Sequence, residues 1–465
     1  MALLRSLACW LPIFAALSAA AQGLPAEVDA ALARAKLPRE AVTMLVVDAD
    51  GKAAPRVSHR ADTLVNPASI AKLATTFAAL ELLGPAFTWT TPVYLEGAVR
   101  DGTLHGNLYI KGQGDPKLVV ERLWLLMRRV QGLGIRTIAG DIVLDRGSFE
   151  NIAQDPSAFD GEPLRPYNAA PDALLLNFKS LVLTFAPSGG QAQVQVEPPM
   201  AGVAIPSVVA LAAGECGDWR GALKADFTDP SRVRFAGAYP AACGERAWPV
   251  AYVEPRSYSS RAIAGMWQQV GGILGGQVRD GKVPAGLAPA LELQSPALAE
   301  VIRDINKYSN NVMAQQLFLT LSLQLKGAGT AEGSRDVLRQ WWRERFGGPE
   351  TPTFGNGSGL SRDERITAQQ LARMLQVAWV SPLMPEFVAS LPLAGIDGTM
   401  RRTRGKGAGL AHLKSGSLRD VAGVAGYVHA ASGKRYVLVA IAHHPQANAA
   451  RPAIEALIAW TAREL

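Results

Sequence analysis

This chain of 465 residues has few or none of three sequence features, and their scarcity limits the classes of protein to which it could belong. It has only three cysteines, and its six histidines show no ligand-like spacing, so neither residue type predicts a metal site. Beyond the N-terminal region, no stretch reaches the roughly 18 uninterrupted apolar residues that a membrane-spanning helix requires. Runs of five or more lysines and arginines are also missing, so the net charge of +7 is dispersed. A basic excess of this kind fits an anionic envelope as well as it fits nucleic acid.

Apolar residues make up 48% of the chain, which is enough to bury a large core. The length exceeds the usual size of one domain, and helical and strand patterns are mixed. With no extreme compositional bias, these features predict an ordinary soluble protein of the α/β or α+β class.

The N-terminal segment MALLRSLACWLPIFAALSAAAQG has the pattern of a secretory signal peptide. It carries one arginine, an apolar stretch from Leu7 to Leu17, and an A-x-A site at Ala19 and Ala21. We therefore expect residues 1–21 to be removed, which would leave Gln22 as the first mature residue. A buried N-terminal helix is the alternative interpretation.

Two cysteines, Cys216 and Cys243, remain in the predicted mature chain. In an oxidising compartment two such cysteines usually pair, so we expect a disulfide. Closing a loop of this length would stabilise the fold by roughly 3 kcal/mol. Two separate buried thiols are the alternative, and in either case the pair has a structural rather than a catalytic role.

The periodicity divides the mature chain into an outer part and a middle part. The outer part, residues 22–91 and 284–465, combines an N-terminal strand and several helices with a C-terminal run of strands and one helix. The middle part, residues 92–283, alternates and turns like β-structure, with Pro and Gly throughout. This order predicts a single domain that is interrupted by a mainly β insertion.

The segment NPASIAKLATTFAALELLG places a serine and a lysine, Ser69 and Lys72, at the start of a predicted amphipathic helix. A spacing of three puts both side chains on one face. Burial disfavours the charged ammonium, and a neutral Lys72 could take the proton of Ser69 and make it a nucleophile. The alternative is a helix-capping serine beside a lysine that extends to solvent.

Two further motifs carry polar groups on predicted secondary structure. Ser309 and Asn311 lie at a break between two helices, where the hydroxyl could relay a proton and the amide could hold a substrate carbonyl; a helix cap is the alternative. Lys414, Ser415 and Gly416 lie on a strand and offer a cation and a hydroxyl to a carboxylate, while the glycine allows close approach. The backbone N–H of Ser417, which follows, could form an oxyanion hole with that of Ser69.

The three motifs occur in the order S-x-x-K, S-x-N, K-S-G, which resembles the motif set of penicillin-binding proteins and β-lactamases. The segments GQGDPKL, YNAAPDALLLN, NGSGLSR and LAGIDGTMRR narrow the resemblance to the penicillin-binding-protein-4 type of D-alanyl-D-alanine carboxypeptidase/endopeptidase. The resemblance covers essentially the whole mature chain, including the long insertion. It implies an α+β fold: a transpeptidase-like domain with an antiparallel sheet flanked by helices, and one or two additional β domains.

The resemblance also implies roles for individual residues. Ser69 would be the acylated nucleophile and Lys72 its base. Arg362, in SGLSR, would help to bind the far end of the stem-peptide side chain, together with an acidic residue of the insertion. Asp160 is the candidate for that residue, and Asp155 is the alternative. The predicted partners are peptidoglycan stem peptides and β-lactams, with no cofactor, no metal and no nucleic acid.

The sequence leaves several alternatives open. The third motif has serine where threonine is frequent, and Tyr308-Ser309-Asn310 also matches the Y-x-N motif of class C β-lactamases, which would shift the register by one residue. A β-lactamase and a non-catalytic wall-binding protein are therefore the competing hypotheses. The expected location is the periplasm, where peripheral contact with the anionic membrane surface is compatible with the basic charge; the sequence indicates no oligomeric state.

Overall fold

The computed structural model describes residues 23–150, 152, 155–348, 350–405 and 407–464. The predicted signal peptide, residues 1–21, lies outside these ranges. The α-helices are α1 Ala26–Arg34, α2 Lys72–Leu83, α3 Val120–Gly132, α4 Trp219–Leu223, α5 Pro255–Gln269, α6 Leu298–Tyr308, α7 Asn311–Lys326, α8 Ala331–Phe346, α9 Ala368–Val380, α10 Met384–Ser390 and α11 Arg451–Ala462. The β-strands are β1 Val42–Asp48, β2 Val57–His59, β3 Thr90–Leu95, β4 Ala98–Arg100, β5 Thr103–His105, β6 Leu108–Lys111, β7 Thr137–Ile138, β8 Ile142–Asp145, β9 Ser180–Ser188, β10 Gln191–Glu197, β11 Val208–Ala212, β12 Ala225–Asp229, β13 Arg232–Phe235, β14 Tyr239–Pro240, β15 Arg246–Ala251, β16 Ile273–Leu274, β17 Val278–Asp280, β18 Pro289–Gln294, β19 Ala411–Ser417, β20 Val421–His429 and β21 Arg435–His443.

A five-stranded antiparallel sheet in the order β19-β20-β21-β1-β2 joins the two ends of the chain. Its interior strand β1 is apolar on both faces because helices cover both sides of the sheet. Met44 and Val46 pack in the cluster formed with α1 and α11, whereas Leu45 and Val47 pack in the cluster formed with α2, α7 and α9. This alternation is the period of two that a strand imposes on its side chains. The sheet flanked by helices confirms the predicted α+β fold class.

Residues 90–294, which we call the middle region, form separate sheets. Their strand orders are β14-β11-β10-β9-β15, β16-β7-β5-β4 and β17-β8-β6-β3-β18, with β12 and β13 as a further pair. The first and last strands of the region, β3 and β18, pair with each other, so the chain enters and leaves at one place. Strand β18 lies C-terminal to the boundary expected at residue 283. The Cys216–Cys243 disulfide lies within the region, as predicted.

Two backbone features bring the polar motifs to the edge of the five-stranded sheet. Helix α6 ends at Tyr308, and the next residue, Ser309, adopts a left-handed conformation with φ of 56°. Asn310 then caps α7, because its side-chain oxygen accepts a hydrogen bond from Met313 N at 3.0 Å. A short 3-10 turn, Ala68–Ala71, precedes α2 and packs beside the edge strand β19. In the described part of the chain, we find no helix with the length and apolar character needed to cross a bilayer.

Candidate active site

Ser69 lies in the 3-10 turn and not in the first turn of an α-helix, because α2 begins only at Lys72. The residue before it, Ala68, has a φ of 49°, a left-handed conformation that costs about 1 kcal/mol or more for a residue other than glycine. Asn66 stabilises this conformation: its Oδ1 accepts from Ala68 N at 2.8 Å, and its Nδ2 donates to Ser361 O at 2.9 Å. The hydrogen bonds of the Asn66 side chain therefore hold this turn in a fixed conformation.

The amine of Lys72 is completely buried and faces uncharged oxygen atoms. Its Nζ lies 2.9 Å from Ser69 Oγ and 2.6 Å from Asn311 Oδ1, and it also donates to Ser358 O. Burial lowers the pKa of Lys72 well below its ordinary value; the charge of Lys414 adds to this effect and that of Glu364 opposes it. Lys72 forms no ion pair with any residue that the structure describes. This environment favours a neutral amine, which is the form that can accept a proton from Ser69.

The second and third predicted motifs meet at a second buried lysine. Lys414 Nζ donates to Ser309 Oγ at 2.9 Å and to Ser415 O at 2.8 Å. Burial lowers the pKa of Lys414 to about 7. Asn311 contacts Lys72, whereas Tyr308 is 69% exposed, so the contacts favour the S-x-N register over Y-x-N.

The 3-10 turn Ala68–Ala71 carries the predicted nucleophile Ser69, and we call it the nucleophile turn. Strand β19 approaches this turn so closely that position 416 must be glycine. A Cβ at Gly416 would lie 2.6 Å from Pro67 O and 3.2 Å from Ile70 N. Both partner atoms belong to the backbone, so the contact could not be relieved by a change of rotamer. The next side chains line the cleft with hydroxyl groups: Ser415 Oγ donates to Thr399 Oγ1 at 2.7 Å, and Ser417 is exposed.

The cleft has a volume of about 410 Å³, and Ser69, Ser309 and Ser415 line it. Its charged lining residues are Arg402, Arg451 and Glu455. A volume of this size lies within the usual range for small-molecule sites. The three motifs, which are distant in sequence, therefore border one cavity that contains hydroxyl groups and cations.

The predicted acidic partner of Arg362 differs from the one in the structure. Arg362 Nη1 lies 3.9 Å from Asp420 Oδ1, and its guanidinium stacks over the Phe159 ring at 4.9 Å. The Asp160 carboxylate instead accepts from Tyr167 Oη at 2.9 Å and from Asn168 Nδ2 at 2.7 Å. Those two neutral donors satisfy the carboxylate within its own loop, although Phe159 brings that loop against Arg362.

The alternative, Asp155, is also satisfied locally. It accepts from the backbone N–H and the hydroxyl of Ser157, at 2.8 Å and 2.7 Å. Neither acidic candidate of the insertion is thus paired with Arg362 in this structure.

Sequence reasoning missed two residues that act directly on Lys72. Ser358 supplies a backbone carbonyl as an acceptor, and Glu364 supplies a buried negative charge. Both lie in or beside the segment NGSGLSR, which was noticed only for its resemblance to a family. Its closely spaced glycines were the available signal, because they indicate a backbone that approaches another backbone closely.

Comparison with known proteins shows which family the chain is similar to. Residues 24–464 match the model of the D-Ala-D-Ala carboxypeptidase 3 (S13) family. A D-alanyl-D-alanine carboxypeptidase of Actinomadura sp. (strain R39) is 28% identical over 79% of this chain and 71% of that protein. The D-alanyl-D-alanine carboxypeptidase DacB of Haemophilus influenzae is 24% identical over 82% of this chain and 81% of that protein.

Solved structures share the fold at lower identity. Penicillin binding protein 4 (dacB) from Haemophilus influenzae matches with a TM-score of 0.73 and 20% identity over 93% of this chain and 99% of that one. It has also been solved in complex with a β-lactam. A predatory peptidoglycan endopeptidase from Bdellovibrio bacteriovorus matches with a TM-score of 0.51 and 16% identity over 91% of this chain and 94% of that one.

Proposed function

Because this chain belongs to the D-Ala-D-Ala carboxypeptidase 3 (S13) family, we propose that it is an exported serine peptidase that cleaves peptidoglycan stem peptides through an acyl-enzyme on Ser69. The observation that supports this most strongly is the environment of Lys72. Its buried amine is 2.9 Å from Ser69 Oγ, and burial lowers its pKa. A serine beside a neutral amine has the base that it needs for attack on a carbonyl.

The proposed reaction has two steps, acylation of Ser69 and hydrolysis of the acyl-enzyme, and residues of the site transfer the protons in both. Lys72 takes the Ser69 proton while Ser69 Oγ bonds to the carbonyl carbon of the penultimate D-Ala. The C–N bond then breaks, and the leaving amine receives a proton by way of Ser309. Water then attacks the resulting ester and gives a proton to Lys72, which passes it to Ser69 Oγ as the C–O bond breaks; the shortened peptide is released and the Ser69 hydroxyl is restored. The backbone N–H groups of Ser69 and Ser417 are the proposed donors to the oxyanion.

Substrate recognition is assigned to the hydroxyl and cationic groups around the nucleophile. Lys414 and Ser415 would bind the terminal carboxylate, for which a cation beside a hydroxyl is suitable. The Asn311 amide would hold a substrate carbonyl, with Gly416 leaving room for the peptide backbone. Arg362 would contact the distal part of the stem peptide.

The volume and the lining of the cleft support a second activity, cleavage of cross-links. A carboxypeptidase releases a single alanine, whereas an endopeptidase must accommodate a leaving group that carries a further peptide. The cavity is also lined by the apolar side chains of Met400 and Ile454 and by the charged side chains of Arg402, Arg451 and Glu455. Two guanidinium groups and one carboxylate leave an excess of positive charge, which suits a larger leaving group with carboxylates. We assign these lining residues to the leaving group of a cross-linked substrate.

The same proposal includes acylation by β-lactams, because these compounds acylate a nucleophilic serine that normally attacks an amide. It also includes export through a signal peptide, residues 1–21, to the periplasm, where basic residues could contact the anionic membrane surface. Residues 92–283 are proposed as an insertion in the catalytic domain, which consists of residues 22–91 and 284–465.

Mass spectrometry of the exported protein with and without benzylpenicillin tests this function. We expect one penicilloyl adduct on the peptide that contains Ser69, and release of D-Ala from muropeptides by the same preparation. Ser69→Ala should lose both activities while remaining folded. An adduct on another residue, or muropeptide cleavage by Ser69→Ala, would contradict the proposal. An adduct that lasts for hours indicates the peptidase, whereas turnover within milliseconds would indicate a β-lactamase.

A further inference from the structure

The loop formed by residues 355–361 lies against both the nucleophile turn and the reactive amine. A Cβ at Gly359 would lie 1.9 Å from Ala68 O, so the loop backbone touches the residue that precedes Ser69. In the same loop the Ser358 carbonyl accepts a hydrogen bond from Lys72 Nζ. The position of the loop therefore determines one of the three acceptors that surround this amine.

A buried carboxylate holds this loop. Glu364 is 1% exposed, and its Oε1 accepts from Gly355 N at 3.3 Å and from Asn356 N at 3.4 Å. Its other oxygen, Oε2, is buried and has no hydrogen-bond partner of good geometry among the residues that the structure describes. A half-satisfied buried carboxylate is unfavourable for stability, so a role other than stability would account for its presence.

The charges near Glu364 connect it to the proposed catalytic base. Burial raises the pKa of Glu364 to about 7, and the Asn356 N–H and the charge of Lys72 oppose that rise. In return, the charge of Glu364 raises the pKa of Lys72, against burial and against Lys414 on β19. From α8, Arg335 reaches the same loop by donating to Gly355 O at 3.4 Å.

We propose that Glu364 is a positioning residue for Lys72, with two separable effects. Its hydrogen bonds hold the loop so that the Ser358 carbonyl meets the amine, and its negative charge favours the ammonium form and thereby makes the amine a stronger base. This inference rests on the proposed function, since it assigns Lys72 as the base that activates Ser69.

The sign of the charge effect follows directly. If Lys72 acts as the neutral amine, acylation falls as the pH drops below the pKa of Lys72. Glu364 carries its charge above its pKa of about 7, so removing that charge while keeping an oxygen acceptor should lower the pKa of Lys72, and acylation should persist to lower pH. Removing the whole side chain should also release the loop, which would slow acylation at every pH.

The experiment measures the second-order rate constant for acylation by a fluorescent penicillin from about pH 5 to about pH 9. For Glu364→Gln we expect the acidic limb to shift to lower pH by about 1 unit, with a plateau within several-fold of wild type. For Glu364→Ala we expect a plateau lower by about 10-fold or more. The exposed neighbouring carboxylate provides a matched control, and Asp363→Asn should leave the profile unchanged.

Three outcomes would overturn the proposal. An unshifted acidic limb in Glu364→Gln would remove the charge effect, and equal plateaus for the Gln and Ala variants would remove the positioning effect. An equal shift in Asp363→Asn would make the effect one of general surface charge. Thermal melts identify a variant that has not folded, and Glu364→Gln then remains as the test. Failure of the proposed function is distinguishable, because wild type would then show no adduct on Ser69.

Discussion

Two buried lysines, Lys72 at the start of α2 and Lys179 in the middle region, have opposite environments. Lys72 faces Ser69 and other neutral oxygens, and burial lowers its pKa. Lys179 is similarly buried, but its Nζ lies 3.0 Å from Asp172 Oδ2, and Arg146 pairs with the same carboxylate at 3.0 Å. Among the residues that the structure describes, Lys72, like Lys414, thus lacks a counter-ion, whereas Lys179 has a complete ion pair.

Under the proposed function, this difference marks the place where the fold gives up stability for reactivity. A paired buried lysine keeps its charge and contributes to structure, while a buried lysine among neutral acceptors is destabilised as an ammonium and can act as a base. Buried polar groups with strongly shifted pKa values concentrate at functional sites for this reason. Each prediction below changes one side of this comparison and leaves the other intact.

The largest effect is expected for Lys72→Met, which keeps the length of the side chain and removes the amine. Acylation by penicillin should fall by about 10⁴-fold, since Ser69 loses its base. Stability near neutral pH should not fall, because the unfolded chain binds a proton at this lysine more readily than the folded protein does. Urea denaturation and acylation rates measure the two properties. A variant that acylates at a wild-type rate would refute the role of Lys72.

Lys179→Met should have the reverse effect. Removing one partner of a buried ion pair costs about 3–5 kcal/mol, and we expect the lower end because Arg146 still neutralises Asp172. The free energy of unfolding in urea measures this loss. Acylation of Ser69 at low temperature, where the variant is folded, should match wild type. Loss of acylation in a folded variant would show that the two lysines are not independent.

Reduction of the Cys216–Cys243 disulfide tests the middle region by a different route. The two cysteines are 27 residues apart, so the bond should stabilise the folded state by about 3 kcal/mol through the entropy of the unfolded chain. The double variant Cys216→Ala/Cys243→Ala should lower the melting temperature and leave the acylation rate unchanged. A slower acylation rate would mean that the conformation of the middle region also affects the conformation of the cleft.

Gly416→Ala gives a smaller effect on the catalytic side. The added Cβ would meet Pro67 O, so β19 must move away from the nucleophile turn by a fraction of an ångström or more. A displacement of about 1 Å in a reactive group can cost about 100-fold in rate. The matched control is Gly132→Ala in α3, where an added Cβ meets nothing within 4 Å and should be neutral or stabilising. Equal effects from the two substitutions would contradict this account.

The sequence was most informative where chemistry requires particular residue types. The S-x-x-K, S-x-N and K-S-G motifs predicted a common site, and the structure brings Ser69, Ser309 and Ser415 to one cleft. The α+β class was implied by the resemblance to a family, since composition and periodicity left the α/β class open. The disulfide followed from the cysteine count together with predicted export, and the structure contains it.

The sequence was least informative about contacts between loops. The resemblance implies an acidic partner for Arg362, with Asp160 as the candidate, but whether a carboxylate meets an arginine depends on the conformation of a loop, which no sequence periodicity specifies. Glu364 was missed for a related reason, since a charged residue after an arginine and an aspartate reads as exposed. Its burial is a product of tertiary packing, with Gly355 and Asn356 supplying the N–H donors.

The close approach of Gly416 and Gly359 to the two sides of the nucleophile turn has a consequence for mutational scanning. Neither glycine has a side chain that could react, yet almost any replacement would displace the backbone on which Ser69 is carried. A saturation map scored by cell-wall phenotype should therefore rank both positions with the reactive residues. Tolerance to substitution alone would then not distinguish the residues that perform the chemistry from those that only leave space for it.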